Sequence, residues 1–471
     1  MKPVYFSLFV FHFSLLPPSV FGQKNMPQTR HPAQGGTVLD GYIREGLANN
    51  AALKTAQFDV ERSLNALEQA QTLFMPQVNF QMQYTLAVGG RSQSLPIGDL
   101  LNPVYSTLNK LTQSNSFPSI ENQAIKFLPN NFHDTKIHAT YPILNREIYY
   151  NREIKKELIT TEKAKIQVYK RELVKNIKTA YLQYLQANQA VDIYKNALGL
   201  VRESERFNQK LVKNQVATQA VVLKAQVEVA KVENSIVETE NQAKNAAAYL
   251  NFLINKPLNN AIQIDSVLIK SKFDVNVPPQ YNGQKKADLL QKREEFAQIG
   301  SGERVYVLQK AMNEKYKQPK ISAFADGGFQ GFGFKIWDKQ AYILAGAQLE
   351  TPLYTAGNSK LKIQQSQIEL QKIAAQRDEV LEQIQLQIQI AQTNLETAQR
   401  ALKVNEAELN AAREYYRLTD RRYREGQILQ LELTDARTTL TAAELKQSLA
   451  QYAILLKMVE LERAVAGYDF W

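Results

Sequence analysis

The residues that could carry chemistry are few. The chain has four histidines and no cysteine, which excludes disulfide frameworks, thiolate zinc sites and cysteine nucleophiles. His133 and His138 are five residues apart in an alternating segment, so a strand sends them to opposite faces and they cannot share a metal. His12 and His31 lie far upstream. No nucleophile–base set can be assembled, and the chain reads as a non-enzyme without cofactor or metal. Gly327-Gly328, Gly331 and Gly333 have the density of a phosphate loop but lack its lysine and its strand–loop–helix setting. They fit glycines of a strand or hairpin. Gly357-Asn358-Ser359-Lys360 reads as a helix start. The sharpest polar cluster is Glu432 and Asp435, three apart and therefore on one face of a helix, where acids in a first turn also complement the dipole.

The elements that must hold these residues are unusual. All 16 prolines lie at or before Pro352, and none falls in 143–256 or 353–471. Glycine is nearly absent there too: Gly199 in the first window; Gly357, Gly426 and Gly467 in the second. Excluding both helix breakers from two such stretches predicts very long helices. Leu173, Ile177, Ala180, Tyr184, Ala187, Val191, Tyr194, Leu198 and Val201 follow alternating steps of four and three. Val222 to Leu253 resumes the pattern, and Leu381 to Leu402, then Leu409, Ala412 and Tyr416, repeat it in the second window. These are coiled-coil seams. Each window contains one reversal. Aligning Phe207–Ala225 with Thr419–Arg437 places Asn214-Gln215 against Gly426-Gln427, with Asn214 facing Gly426 at the turn and Ala220 facing Glu432. Both turns tolerate a left-handed helix end. Each window is thus a helical hairpin with an outgoing arm of about 70 residues, roughly 105 Å. Tyr423 and Arg424, just before the second turn, could latch neighbouring hairpins.

Strands lead into the hairpins. In Pro76–Val88 the apolar Val78, Phe80, Met82, Tyr84, Leu86 and Val88 alternate with Asn79, Gln81, Gln83 and Thr85. His133–Pro142 alternates likewise, and the plan recurs in Pro319–Phe334 and Gln340–Pro352. Segments of about ten residues, apolar on one face and polar on the other, suit a transmembrane barrel. The chain is an internal duplication, with a longer Ser-, Asn- and Pro-rich loop over 89–132 and a linker over 257–286. Residues 1–22 read as a secretory signal: Lys2, an apolar run to Leu16, Pro17-Pro18, and cleavage before Gln23. The basic excess, 57 Lys and Arg against 46 Asp and Glu, is dispersed along helices, which argues against nucleic acid.

In its order of duplicated elements the sequence resembles the TolC-like outer-membrane efflux protein family. The carrying residues are Gly46–Gln77 as an entry helix, the strand-to-helix corners Pro142 and Pro352, and Tyr423–Arg437 at a hairpin tip. The resemblance implies a mixed α and β fold in which a homotrimer pools four strands per chain into a 12-stranded barrel. A long α-helical periplasmic barrel continues it, closed by coiled-coil hairpins. It implies an exit duct in the outer membrane, among lipid, working with a periplasmic adaptor (membrane fusion) protein and an inner-membrane transporter of RND or ABC type, in efflux or type I secretion. On that plan the chain divides at 1–22, 23–75 (periplasmic helices), 76–142 (first strand pair), 143–256 (first hairpin), 257–318 (equatorial linker and helix), 319–352 (second strand pair) and 353–471 (second hairpin). Family positions matching Glu432 and Asp435 carry an acidic ring at the periplasmic mouth. A soluble coiled-coil adaptor would lack the alternating strands, and an exported hydrolase would need the missing catalytic set.

Overall fold

The computed structural model describes residues 37–264, 292–333, 340–468 and 470. The signal segment, His12, His31, Phe334 and the linker beyond residue 264 lie outside them.

Helix α1 (Val38–Asn49) opens on a capping box between Thr37 and Asp40, and Asn50 divides it from α2 (Ala51–Thr72). Asn50 is 7% exposed. Its Oδ1 accepts from Leu53 N and from the Tyr169 hydroxyl, both at 3.0 Å, while its Nδ2 donates to Leu253 O at 2.8 Å. The expected single entry helix from Gly46 to Gln77 is therefore two helices and the start of a strand. A side chain that caps one helix and anchors two distant ones ends the first.

Strand β1 (Gln77–Thr85) follows. The segment expected as a plain loop instead folds as β2 (Ser92–Leu95), α3 (Ile97–Leu111) and β3 (Gln123–Lys126), with β2 and β3 paired antiparallel. Asn102 exchanges two hydrogen bonds with the backbone of Ile120 (2.8 and 2.9 Å), and Asn109 does the same with Phe117 (2.8 and 3.1 Å). These bonds hold the helix against the returning chain.

Then come β4 (Phe132–Leu144), α4 (Arg146–Lys213), α5 (Gln219–Leu253), α6 (Glu294–Glu314), β5 (Lys320–Phe332), β6 (Ala341–Glu350), α7 (Asn358–Arg424) and α8 (Gln430–Ala464). The four long strands form one antiparallel sheet in the order β1-β4-β5-β6. Each strand is continuous with a helix, and the helices α2, α4, α6 and α7 pack side by side in the same order. Farther along, α5 and α8 replace α2 and α6, packing against α4 and α7, while α4 also touches α8. The outgoing arms hold 68 and 67 residues and the returning arms 35 each, so the two repeats match almost residue for residue. Gly357, with φ +81°, stands just before α7.

The main core lies where α1, α4, α5 and α8 meet, around Ile43, Ile177, Tyr181, Leu250 and Tyr452. Gly46 leaves room for it: a Cβ there would overlap Ile177 Cδ1, so any larger residue would displace that buried isoleucine where α1 crosses α4. By contrast the sheet's apolar face is bare. Val78, Phe80, Met82, Ile137, Ile343 and Leu349 are all more than half exposed.

Candidate functional site

The hairpin tips are built by one backbone device used twice. At the end of α4, Gln215 N donates to Val212 O (3.0 Å) and Val216 N to Leu211 O (2.9 Å). At the end of α7, Gly426 N donates to Tyr423 O (3.0 Å) and Gln427 N to Arg422 O (2.9 Å). Both are Schellman motifs, which satisfy the last carbonyls of a helix by turning one residue left-handed. That residue is Gln215 (φ +61°) in the first tip and Gly426 (φ +74°) in the second. Asn214, expected opposite Gly426, is instead the cap residue at φ −86°. The alignment read from sequence is thus displaced by one residue, and Glu432 faces Val221 rather than Ala220. The acid pair still has no counterpart in the first repeat.

The structure joins Tyr423 and Arg424 to α4. The Tyr423 hydroxyl donates to Asn208 Oδ1 at 2.6 Å, and its ring meets Phe207 edge-on with centroids 5.8 Å apart. Asn208 is fully buried, and its Nδ2 has no partner among the described residues. Burial raises the Tyr423 hydroxyl above its ordinary pKa, so it remains a donor at neutral pH. Arg424 bonds Glu203 and Asp420, each at 2.8 Å; Glu203, then Asp420, raises its pKa. Asn208 and Glu203 escaped the sequence reading. A signal existed for the first: Asn208 lies one heptad beyond Val201, and a lone polar residue at a seam position marks a specific pairing.

Glu432 and Asp435 are exposed near the start of α8, at the margin of the stripe that buries Leu433 and Ala436. The Tyr415 hydroxyl reaches Asp435 Oδ2 at 3.4 Å; burial, then Asp435, raises its pKa. The base of α8 is fixed to α5 by Gln430 Nε2 on Val221 O (3.1 Å) and by Arg437, 5% exposed, beside Glu228 at 4.0 Å. Among the described residues, no group of three or more His, Asp or Glu is placed to hold a metal. No described helix is long and apolar enough to cross a membrane.

Comparison with known proteins agrees with this architecture. Residues 311–467 match the outer membrane efflux protein family, while no curated protein matches the sequence significantly. The fold is similar to that of VceC, an outer membrane protein from Vibrio cholerae (TM-score 0.68, 16% identity, 91% of this chain and 95% of that one). It is similar also to the CmeC outer membrane channel of Campylobacter jejuni (0.71, 12%, 93% and 90%). The Neisseria gonorrhoeae MtrE outer membrane channel in its open state gives 0.69 at 15% identity, over 91% and 89%. The resemblance read from the sequence therefore holds: the second repeat carries the outer membrane efflux protein pattern, and the chain has the fold of the outer-membrane channels.

Proposed function

We propose that the chain is one third of an outer-membrane exit duct. The observation that carries this reading is the sheet. Its two edge strands, β1 and β6, are each paired on one side only, and its exposed face is apolar along all four strands. Unpaired edges and a bare apolar face are untenable in water. Four strands cannot close a barrel, whereas three copies supply twelve, with the apolar face in lipid and the polar face lining a lumen. The helices continue the duct into the periplasm, where the tips meet an adaptor and an inner-membrane transporter. That transporter supplies the energy, since the duct itself only conducts.

The tip is the gate. Tyr423 and Arg424 hold α7 against α4, and three copies of Glu432 and Asp435 ring the mouth. Carboxylates crowded in a constriction repel one another and gather cations, so the closed duct favours cations and is blocked by divalent ions. Planar-bilayer recordings test both the duct and its mouth. Purified protein should form cation-preferring channels whose conductance falls in a divalent salt. Changing Glu432 and Asp435 together to Ala should weaken that block. Unchanged block and ion preference would reduce the pair to helix-start acids, and failure to form any channel would reject the duct.

A further inference from the structure

The polar face of the sheet is not uniformly polar. Uncharged polar residues share it with Phe132, Phe324, Phe332 and Leu344, and at mid-height five ionisable side chains from three strands converge. Register places His138 opposite Asp326, Lys136 opposite Gly328, and Gly328 opposite Tyr342. Asp326 Oδ1 accepts from His138 Nδ1, and Asp326 Oδ2 takes Lys136 Nζ at 3.1 Å. Lys136 also lies 3.6 Å from Asp134, whose Oδ1 accepts from the Tyr342 hydroxyl at 2.9 Å. Asp326 is only 5% exposed on a face that solvent otherwise reaches. Gly328 makes the convergence possible, because a Cβ there would stand 2.7 Å from Lys136 Cα.

From β1 the same network faces Asn79, Gln81 and Gln83, which carry no charge. Among the described residues, the other charges on this face of the sheet lie at its base, where Lys320 stands opposite Glu350 and donates to Glu147 at 2.6 Å, far along the strands from the cluster. Asp134, Asp326 and Lys136 therefore leave one uncompensated negative charge per chain while His138 is neutral, and none once it is protonated. A barrel wall surrounds its lumen with low-dielectric material, which concentrates the field of such a charge along the path of passing ions.

We propose that this cluster is an ion-selectivity site within the barrel, centred on Asp326 and switched by His138, separate from the acids at the periplasmic tip. The inference rests on the barrel reading given above. With His138 neutral, three clusters favour small cations; with His138 protonated, the preference disappears. Imidazole is the side chain whose charge ordinarily changes between about pH 5 and 8. His133, the other described histidine, lies on the opposite face of β4, hydrogen-bonded to Gln340.

The test is the reversal potential of the purified full-length channel across a potassium chloride gradient at about 0.1 M, where screening lengths are near 10 Å. It is measured at about pH 8 and pH 5 on a Glu432→Ala, Asp435→Ala background that silences the tip. The potassium-to-chloride preference should fall at least about twofold on acidification. His138→Gln retains a donor for Asp326 but cannot gain charge, and should hold the alkaline preference at both pH values. Asp326→Asn should lose that preference already at pH 8; should it not assemble, His138→Gln alone decides. A conducting wild-type channel without the pH step, or His138→Gln that still shows it, overturns the selectivity site and leaves the duct standing. Absence of any channel overturns both.

Discussion

The equator and the tip of this molecule are tied by the same chemistry with opposite consequences. At the equator Arg293 is 3% exposed; it donates twice to Glu295 at 3.0 Å and once to Ala464 O at 2.6 Å. Arg463 bonds Glu172 (3.0 Å) and Glu295 (2.9 Å), while Arg171 grips Glu294 and Tyr468 O (2.9 Å). These bonds weld α4, α6 and α8 together at the level of the main core. At the tip, Arg424 and Glu203 are 52% and 57% exposed, and α7 is tied to α4 by the buried bond of Tyr423 to Asn208. A buried ion network costs several kcal/mol to break at one partner, whereas an exposed pair contributes about 0–1 kcal/mol. The proposed duct, opening at the tip while its equator stays closed, would use this contrast.

The largest expected effect is at the equator. Glu295→Gln removes the carboxylate charge that Arg293 and Arg463 share, and should lower stability by about 3–5 kcal/mol, measured as a fall in Tm in detergent. Acid should act in the same direction. Burial alone would raise the Glu295 carboxyl, but the Arg293 and Arg463 guanidiniums bring it down to about 2, below its ordinary 4.5. Its stabilisation is therefore present above about pH 4.5 and fades as pH falls towards 2. Glu295→Gln should flatten that part of the Tm–pH curve, and an unaltered curve would remove the equatorial weld from the account.

At the tip the costs are smaller and the functional consequences larger. Tyr423→Phe keeps the ring on Phe207 but loses the bond to Asn208, about 1 kcal/mol of stability. Single-channel conductance should nonetheless rise, because this bond is the buried link between the end of α7 and α4. A Tm loss as large as that of Glu295→Gln, with conductance unchanged, would invert the comparison.

The turns sharpen it further. Gly426→Gln copies the first tip into the second and should cost about 1 kcal/mol, while Gln215→Gly should recover a similar amount. Gly357, before α7, has a φ of +81° that strains any side chain, so Gly357→Ala should cost as much as Gly426→Ala. The smallest expected change is Arg424→Gln, within about 1 kcal/mol and visible only as a modest rise in conductance.

How far the sequence spoke follows from which signals are local. The long arms were legible because helix breakers are excluded from them and their apolar spacing never slips. Strand faces were legible because alternation is a property of neighbours. Asn50 was not, since what stops α1 there includes Tyr169 and Leu253, distant in sequence. Helix α3 was hidden by Pro103 within it and by a Ser- and Asn-rich composition that suggests loop; its asparagines act through backbone groups on the returning segment. The tip was misplaced by one residue because Asn214 and Gln215 both tolerate a helix end, and only the backbone conformation separates them. Asp326 went unremarked because a lone acid on a strand acquires meaning only when Lys136 and His138 arrive from the next one.

The measurement closest to the central claim is the mass and location of the native particle. Protein extracted in detergent from fractionated envelopes should come from the outer membrane and have the mass of three chains by light scattering, with no smaller species at working concentration. A monomer recovered from the aqueous periplasmic fraction would contradict the account, because a single chain would then keep two open sheet edges and a bare apolar face in water.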